Sequence, residues 1–135
     1  MDCLHQRSSV RFEPRTFNGR YTVKVPHFLW MRDANEHWDD YEPERLRSME
    51  LLLRRGDVLF DIGVESGWLS AIYAQFVGAE NMCLFEPAEQ QWPNIQATWQ
   101  ANALPAPRAT FCGFVADRGD TLPQLGTWPA AADGE

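Results

Sequence analysis

Apolar positions along the chain recur with two different periods, and the periods predict the elements. Tyr21-Thr22-Val23-Lys24-Val25 alternates with period two and stops at Pro26, which predicts a half-buried strand at a sheet edge. Glu42 to Arg55 predicts a helix. Pro43 stands at its first position, Leu46, Met49 and Leu53 share one face with Leu52 alongside, Arg54 and Arg55 complement the C-terminal dipole, and Gly56 ends it. Val58 to Ile62 is a short apolar run carrying one carboxylate, the pattern of a strand covered on both faces. Leu69, Ile72, Tyr73 and Phe76 then fall at i, i+3, i+4 and i+7, one stripe of a helix that Gly78 closes. Met82 to Phe85 predicts a second strand, and residues 88–102 a helix starting at or near Pro93 with Trp92, Ile95 and Trp99 on one side. Ala109 to Val115 predicts a third strand. Strand, helix, strand, helix, strand is a βαβαβ unit, so the expected class is α/β with a parallel sheet.

The stretch from Val58 to Ser70 is the centre of this pattern, a strand feeding a helix through a turn bracketed by Gly63 and Gly67. Such a corner cradles nucleotides in doubly wound folds, because a missing Cβ permits positive φ and lets a ligand approach the backbone. Dinucleotide sites use G-x-G-x-x-G and hold a pyrophosphate on the helix N-terminus. Here the spacing is Gly63-x-x-x-Gly67, and Glu65 puts a carboxylate beside that terminus. This repels phosphate but tolerates a cationic ligand, favouring S-adenosylmethionine, with its sulfonium and ammonium, over NAD or FAD. Glu86 follows the second strand 25 residues beyond Asp61, close to the ~20-residue offset of a ribose-binding acid. Its alternative is to cap the next helix or face solvent.

Asp61-x-Gly63-x-x-x-Gly67-x-x-Ser70, joined to Leu84-Phe85-Glu86-Pro87 after the next strand, resembles the FkbM-type S-adenosylmethionine-dependent methyltransferases. Asn102 and the 108–117 stretch fit the same pattern, and the resemblance covers residues 42–118. It implies a Rossmann-like class I methyltransferase fold, with the chain holding the N-terminal, cofactor-binding βαβαβ half of a doubly wound sheet, and it favours O-methyl transfer. In that frame Asp61 holds the loop and the methionine end of the cofactor, and Gly63 and Gly67 allow close backbone approach. Glu65 lies at the helix start, where family members often carry a small residue or Asn. Glu86 takes the ribose, and Asp117 stands where related folds address the adenine amino group, unless the loop around it is a solvated turn. The further strands of the family, one bearing Asp-x-Glu-Gly, have no counterpart in these residues, so no catalytic residue is nominated. A truncated methyltransferase is expected, inactive as it stands and open to self-association along an unpaired sheet edge. The alternative is a degenerate, non-catalytic homologue serving as a binding or assembly module.

Composition narrows the partners. With 12 basic against 19 acidic residues the net charge is −7, which favours neither nucleic acid nor an anionic membrane. No apolar run has the length of a bilayer span or a signal core, so a cytoplasmic protein is expected. Cys3, Cys83 and Cys112 lack metal-ligand spacing, and His27, His37 and the aspartates around them form no recognised ligand pair. Three segments result: residues 1–41, an N-terminal arm with a short strand and an aromatic, acidic stretch that either caps the sheet or folds over the cofactor; the half-domain at 42–118; and a loop or disordered tail at 119–135.

Overall fold

Two sheets of different kinds flank a pair of helices in the computed structural model of the protein, which describes residues 10–27 and 40–117. The chain enters as an antiparallel hairpin, β1 (Phe12–Phe17) paired with β2 (Tyr21–Pro26) in the register Phe17↔Tyr21 to Phe12↔Pro26. It continues as α1 (Pro43–Leu52), β3 (Leu59–Ile62), α2 (Trp68–Val77), β4 (Met82–Phe85), α3 (Trp92–Ala101) and β5 (Ala109–Phe111), with 3-10 turns at Ala79–Asn81 and Glu89–Gln91. Strands β3, β4 and β5 form a parallel sheet in that order. The protein is therefore mixed α/β with a small three-stranded parallel sheet.

The hairpin adds a strand to the N-terminal arm, for which the sequence predicts only the one at Tyr21 to Val25. Asn18 and Gly19, both at positive φ, make the turn that β1 needs to fold back on β2. Strand β1 escaped notice because Phe12-Glu13-Pro14-Arg15-Thr16-Phe17 shows little alternation. Nor does β2 extend the parallel sheet. It lies across α2 and α3, burying Tyr21, Val23 and Val25. Polar bonds pin it there: the Asn102 amide accepts from the Lys24 N–H at 2.8 Å and donates to the Lys24 carbonyl at 2.9 Å, completing the strand edge as a neighbouring backbone would. Gln75 adds a bond to the Thr22 carbonyl at 2.8 Å. Across the hairpin turn, Arg20 and Tyr21 both donate to Glu50 of α1, and those bonds, with Arg20 the largest influence, hold its carboxyl down at about 2.

This placement explains α2. A surface helix needs one apolar stripe, yet α2 buries Trp68, Ser70, Ala71, Ile72, Tyr73, Ala74 and Val77. It runs between the parallel sheet and the hairpin, so nearly its whole circumference is covered, and the main core joins Phe17, Val25, Ile72, Val77, Met82, Leu84, Ile95 and Trp99.

Among the described residues the parallel sheet is covered on one side only, against the expectation of a doubly buried β3. Leu59 and Asp61 face the helices, whereas Phe60 and Ile62 are 62% and 60% exposed. Register puts Phe85 and Phe111 on the same open face, where the three phenylalanine rings form a ladder with centroids 5.7 Å and 4.5 Å apart. Both crossovers carry their helices to the opposite side, as right-handed βαβ units in one winding direction must. Strand β5 stops at Phe111 instead of Val115, and Phe114 and Val115 are exposed. Helix α1 likewise ends at Leu52, before Arg54 and Arg55, although the Arg54 guanidinium reaches back to the Leu51 carbonyl at 2.9 Å. No helix among the described residues is long and apolar enough to cross a membrane. The expectations placed on residues 28–39 and on the tail at 119–135 lie outside the described residues.

Candidate functional site

The loop between β3 and α2 is built by bonds to the neighbouring strand. The N–H groups of Gly63 and Val64 both donate to the Phe85 carbonyl, at 2.8 and 3.2 Å. The next N–H, that of Glu65, donates to the Glu86 carboxylate at 2.8 Å, and the other oxygen of Glu86 accepts from Ala88 at 2.9 Å. Glu86 is only 6% exposed. It neither faces solvent nor caps α3; it ties the end of β4 to the glycine turn. The ring nitrogen of Trp92 bonds the Glu86 carbonyl at 3.2 Å and holds the following loop against it.

The two glycines serve different ends. Gly63 has φ +85°, and a Cβ there would stand in open space, so its bare backbone lines an open surface. Gly67, also at φ +85°, lies against α3, where a Cβ would meet the Ile95 Cα at 3.4 Å. Its small size thus serves helix packing as well as the turn, a role the spacing alone does not reveal. Glu65 sits at φ +56° and Glu42 at φ 37°, uncommon backbone for residues with side chains. Such conformations concentrate at ligand sites, and both residues line the same cleft.

That cleft measures about 210 Å³ and is walled by Tyr41, Glu42 and Arg45 on one side and by Asp61, Gly63 to Glu65, and Trp68 to Ser70 on the other. Its outer wall depends on the hairpin. The Asn18 amide brackets the backbone of Tyr41, accepting from its N–H at 2.8 Å and donating to its carbonyl at 2.9 Å, while the Tyr41 ring meets Trp68 edge-on at 4.9 Å. On the inner wall Ser70 Oγ donates a short hydrogen bond to Asp61. Burial pushes the Asp61 carboxyl up, against the opposing pull of the Ser70 bond and of Arg45. Arg45 bonds Glu42 at 2.8 Å and stands 5.9 Å from the ring centre of Tyr73. Tyr73 is buried, its hydroxyl lacks a hydrogen-bond partner of normal geometry, and burial raises its phenol to about 12.

Of the residues nominated from sequence, Asp61, Gly63 and Glu65 line the cleft, and Glu86 and Gly67 adjoin it through the turn. Asp117 is exposed and lines none of it. Glu42 and Arg45, neither nominated from sequence, also line the cleft. An Arg at the third position of a helix reads from sequence as a solvated charge, and only the packing of α1 against α2 brings it to the cleft that Asp61 also lines. Among the described residues no three His, Cys, Asp or Glu side chains cluster as a metal site, and Cys83 and Cys112 are free thiols.

Fold and site together define a parallel α/β protein with a two-glycine turn and a mixed-charge cleft at the carboxyl end of its first parallel strand. Compared with protein families, with curated proteins and with solved structures, the chain matches none.

Proposed function

We propose that the chain is the cofactor-binding part of an S-adenosylmethionine-dependent methyltransferase of Rossmann-like, FkbM type, with oxygen the favoured acceptor. The observation that carries the reading is the glycine turn. Gly63 presents open backbone at the carboxyl end of a parallel strand, where α/β sheets bind ligands. The turn is flanked by the carboxylates of Asp61, Glu65 and Glu86, with Arg45 the one cation among the cleft's lining residues. A pyrophosphate would meet repulsion there, whereas a sulfonium ligand is electrostatically suited to it. When bound, the cofactor supplies an electrophilic methyl group; the residues described here bind and orient it. Asp61 faces the methionine end, and Glu86 has lone pairs left for ribose hydroxyls beside its two backbone bonds.

The double engagement of Glu86 also favours a second reading, a non-catalytic module in which this carboxylate only braces the turn. Thermal melts separate the readings. S-adenosylhomocysteine should raise the melting temperature while NAD, NADP and FAD do not, and Gly63→Val should abolish the shift by resisting positive φ and filling the open surface. A larger shift with any dinucleotide would overturn the methyltransferase reading, and no shift with any of them would leave the module.

A further inference from the structure

We infer that the open face of the parallel sheet docks a second copy of the chain, the two sheets stacking face to face as a closed dimer. The inference is independent of the cofactor reading. It also differs from association along a sheet edge, because the edges of β3 and β5 stay outside the contact.

The six strand positions on this face are all uncharged. Register sets them in two rows, Phe60, Cys83 and Ala109 in one and Ile62, Phe85 and Phe111 in the other. A parallel sheet ordinarily has both faces covered, and a sheet with one wet face carries polar side chains there. Among the described residues nothing covers these rows, and Phe60 and Ile62 are mostly exposed. Taking about 200 Å² for an aromatic side chain and somewhat less for an aliphatic one, the exposed parts of this face, with Val58 before β3 and Phe114 and Val115 after β5, come to about 600 Å². Two copies together would remove about 1,200 Å², beyond the ~1,000 Å² that a specific interface needs.

The relief of the face says why the occupant is a copy. The rings of Phe60, Phe85 and Phe111 run as one oblique ridge from the first row into the second, with centroids 5.7 Å and 4.5 Å apart. Beside the ridge, the short side chains of Cys83 and Ala109 form low ground. A two-fold axis lying across the strands exchanges the two rows. It brings Phe85 and Phe111 of one copy over Cys83 and Ala109 of the other, and Phe60 over Ile62. Large side chains then meet small ones, so the ridges lie side by side at the ~10 Å spacing of packed sheets. A two-fold along the strands would instead set Phe85 on Phe85 and hold the sheets apart. Self-pairing of uncharged rows brings no like charges together, while the net charge of −7 carried elsewhere opposes the addition of further copies. The cleft lined from α1 and α2 lies on the other side of the sheet and stays accessible in such a dimer.

Sedimentation equilibrium on the full chain across concentrations tests this. The mass should rise from 15.5 kDa to twice that value and stop there. Phe111→Glu, on the strand farthest from the β3 edge, should weaken the dimer by about a hundredfold or more, because a two-fold contact loses a central aromatic twice. Phe60→Glu should do the same without touching the core, and it carries the test if Phe111→Glu no longer melts cooperatively. Leu52→Glu, at an exposed apolar site on α1, should leave the dimer unchanged. A mass that climbs past the dimer would mean growth along the edges and would overturn the inference. So would a wild-type chain that stays monomeric, its face taken by its own segments or kept for another protein. A folded Phe60→Glu chain that still dimerises, or a Leu52→Glu chain that dissociates as fully as Phe60→Glu, would overturn it too.

Discussion

Replacing Glu86 by alanine tests how the glycine turn is held. The carboxylate accepts two backbone N–H groups, from Glu65 at 2.8 Å and Ala88 at 2.9 Å, and is 6% exposed. Hydrogen bonds to a charged group contribute about 1.5–3 kcal/mol each. Water can enter partly in place of the lost side chain, so the lower end applies, and the two bonds together come to about 3 kcal/mol. Against a total stability of about 5–15 kcal/mol that is a large loss. At ~1–3 kcal/mol per molar urea it lowers the unfolding midpoint by about 1–3 M. Glu86→Gln keeps one acceptor but turns an NH2 toward the other backbone N–H, so it should fall between alanine and wild type. Urea titration followed by tryptophan fluorescence reads this directly, since Trp92 bonds the Glu86 carbonyl. An unchanged midpoint for Glu86→Ala would show that the carboxylate does not anchor the turn. The ribose role proposed for Glu86 adds a separate expectation, a ten- to hundredfold loss of S-adenosylhomocysteine affinity at ~1.4 kcal/mol per decade, measured by calorimetry on the folded protein.

Two further outcomes concern Asp61 and the open sheet face. Burial raises the Asp61 carboxyl pKa, so the fold favours its neutral form, and the cost of holding it ionised appears as pH rises through the folded pKa. Asp61→Asn, which can still accept the Ser70 hydroxyl, should therefore be more stable than wild type at pH 7, with the gain vanishing below the ordinary Asp pKa of about 3.9; thermal melts showing a less stable variant, or a gain independent of pH, would refute this. Phe60 and Ile62 stand exposed on an edge strand, so the wild-type chain should self-associate, and Phe60→Lys with Ile62→Lys should reduce that without loss of melting temperature. Light scattering across concentrations checks it, and a wild-type chain monomeric at every concentration would refute it.

The elements legible in the sequence were those whose pattern is local. The apolar run ending at Phe85 and the stripe from Leu69 to Phe76 needed no partner to be recognised, and Pro43, Gly78 and Pro93 marked boundaries through their own backbone limits. What stayed hidden was set by packing. An apolar run such as Val58 to Ile62 looks the same whether one or both faces are covered. Glu86 was identified by its offset from Asp61, but offset cannot say that both oxygens already serve the backbone. Arg45 lies in the first turn of an ordinary charged helix, and its approach to the cleft depends on α1 lying against α2 and on Asn18 fixing Tyr41 from 23 residues away. The two bonds of Asn102 to the backbone of Lys24, 78 residues away, are likewise invisible in the sequence.

The alternation of β3 connects the turn chemistry to the open face. Asp61 serves the cleft, while Phe60 and Ile62 serve the uncovered face, so a slip of one residue in register would exchange the two sets. Burial normally prevents such slips, because the wrong register exposes the apolar set. Here that restraint is weak: the apolar set is already exposed, and among the described strands β3 pairs only with β4. Register must come from elsewhere, and the bonds at the strand's end supply it. Gly63 and Val64 close on the Phe85 carbonyl, and Glu65 closes on Glu86. These contacts can form together in one alignment only, with Ile62 opposite Phe85 and Asp61 opposite Leu84. The left-handed backbone of Glu65 is part of that alignment, since it turns the N–H toward the carboxylate. The same bonds that shape the glycine turn therefore keep Asp61 in the cleft, and loss of Glu86 should disturb the strand as well as the loop.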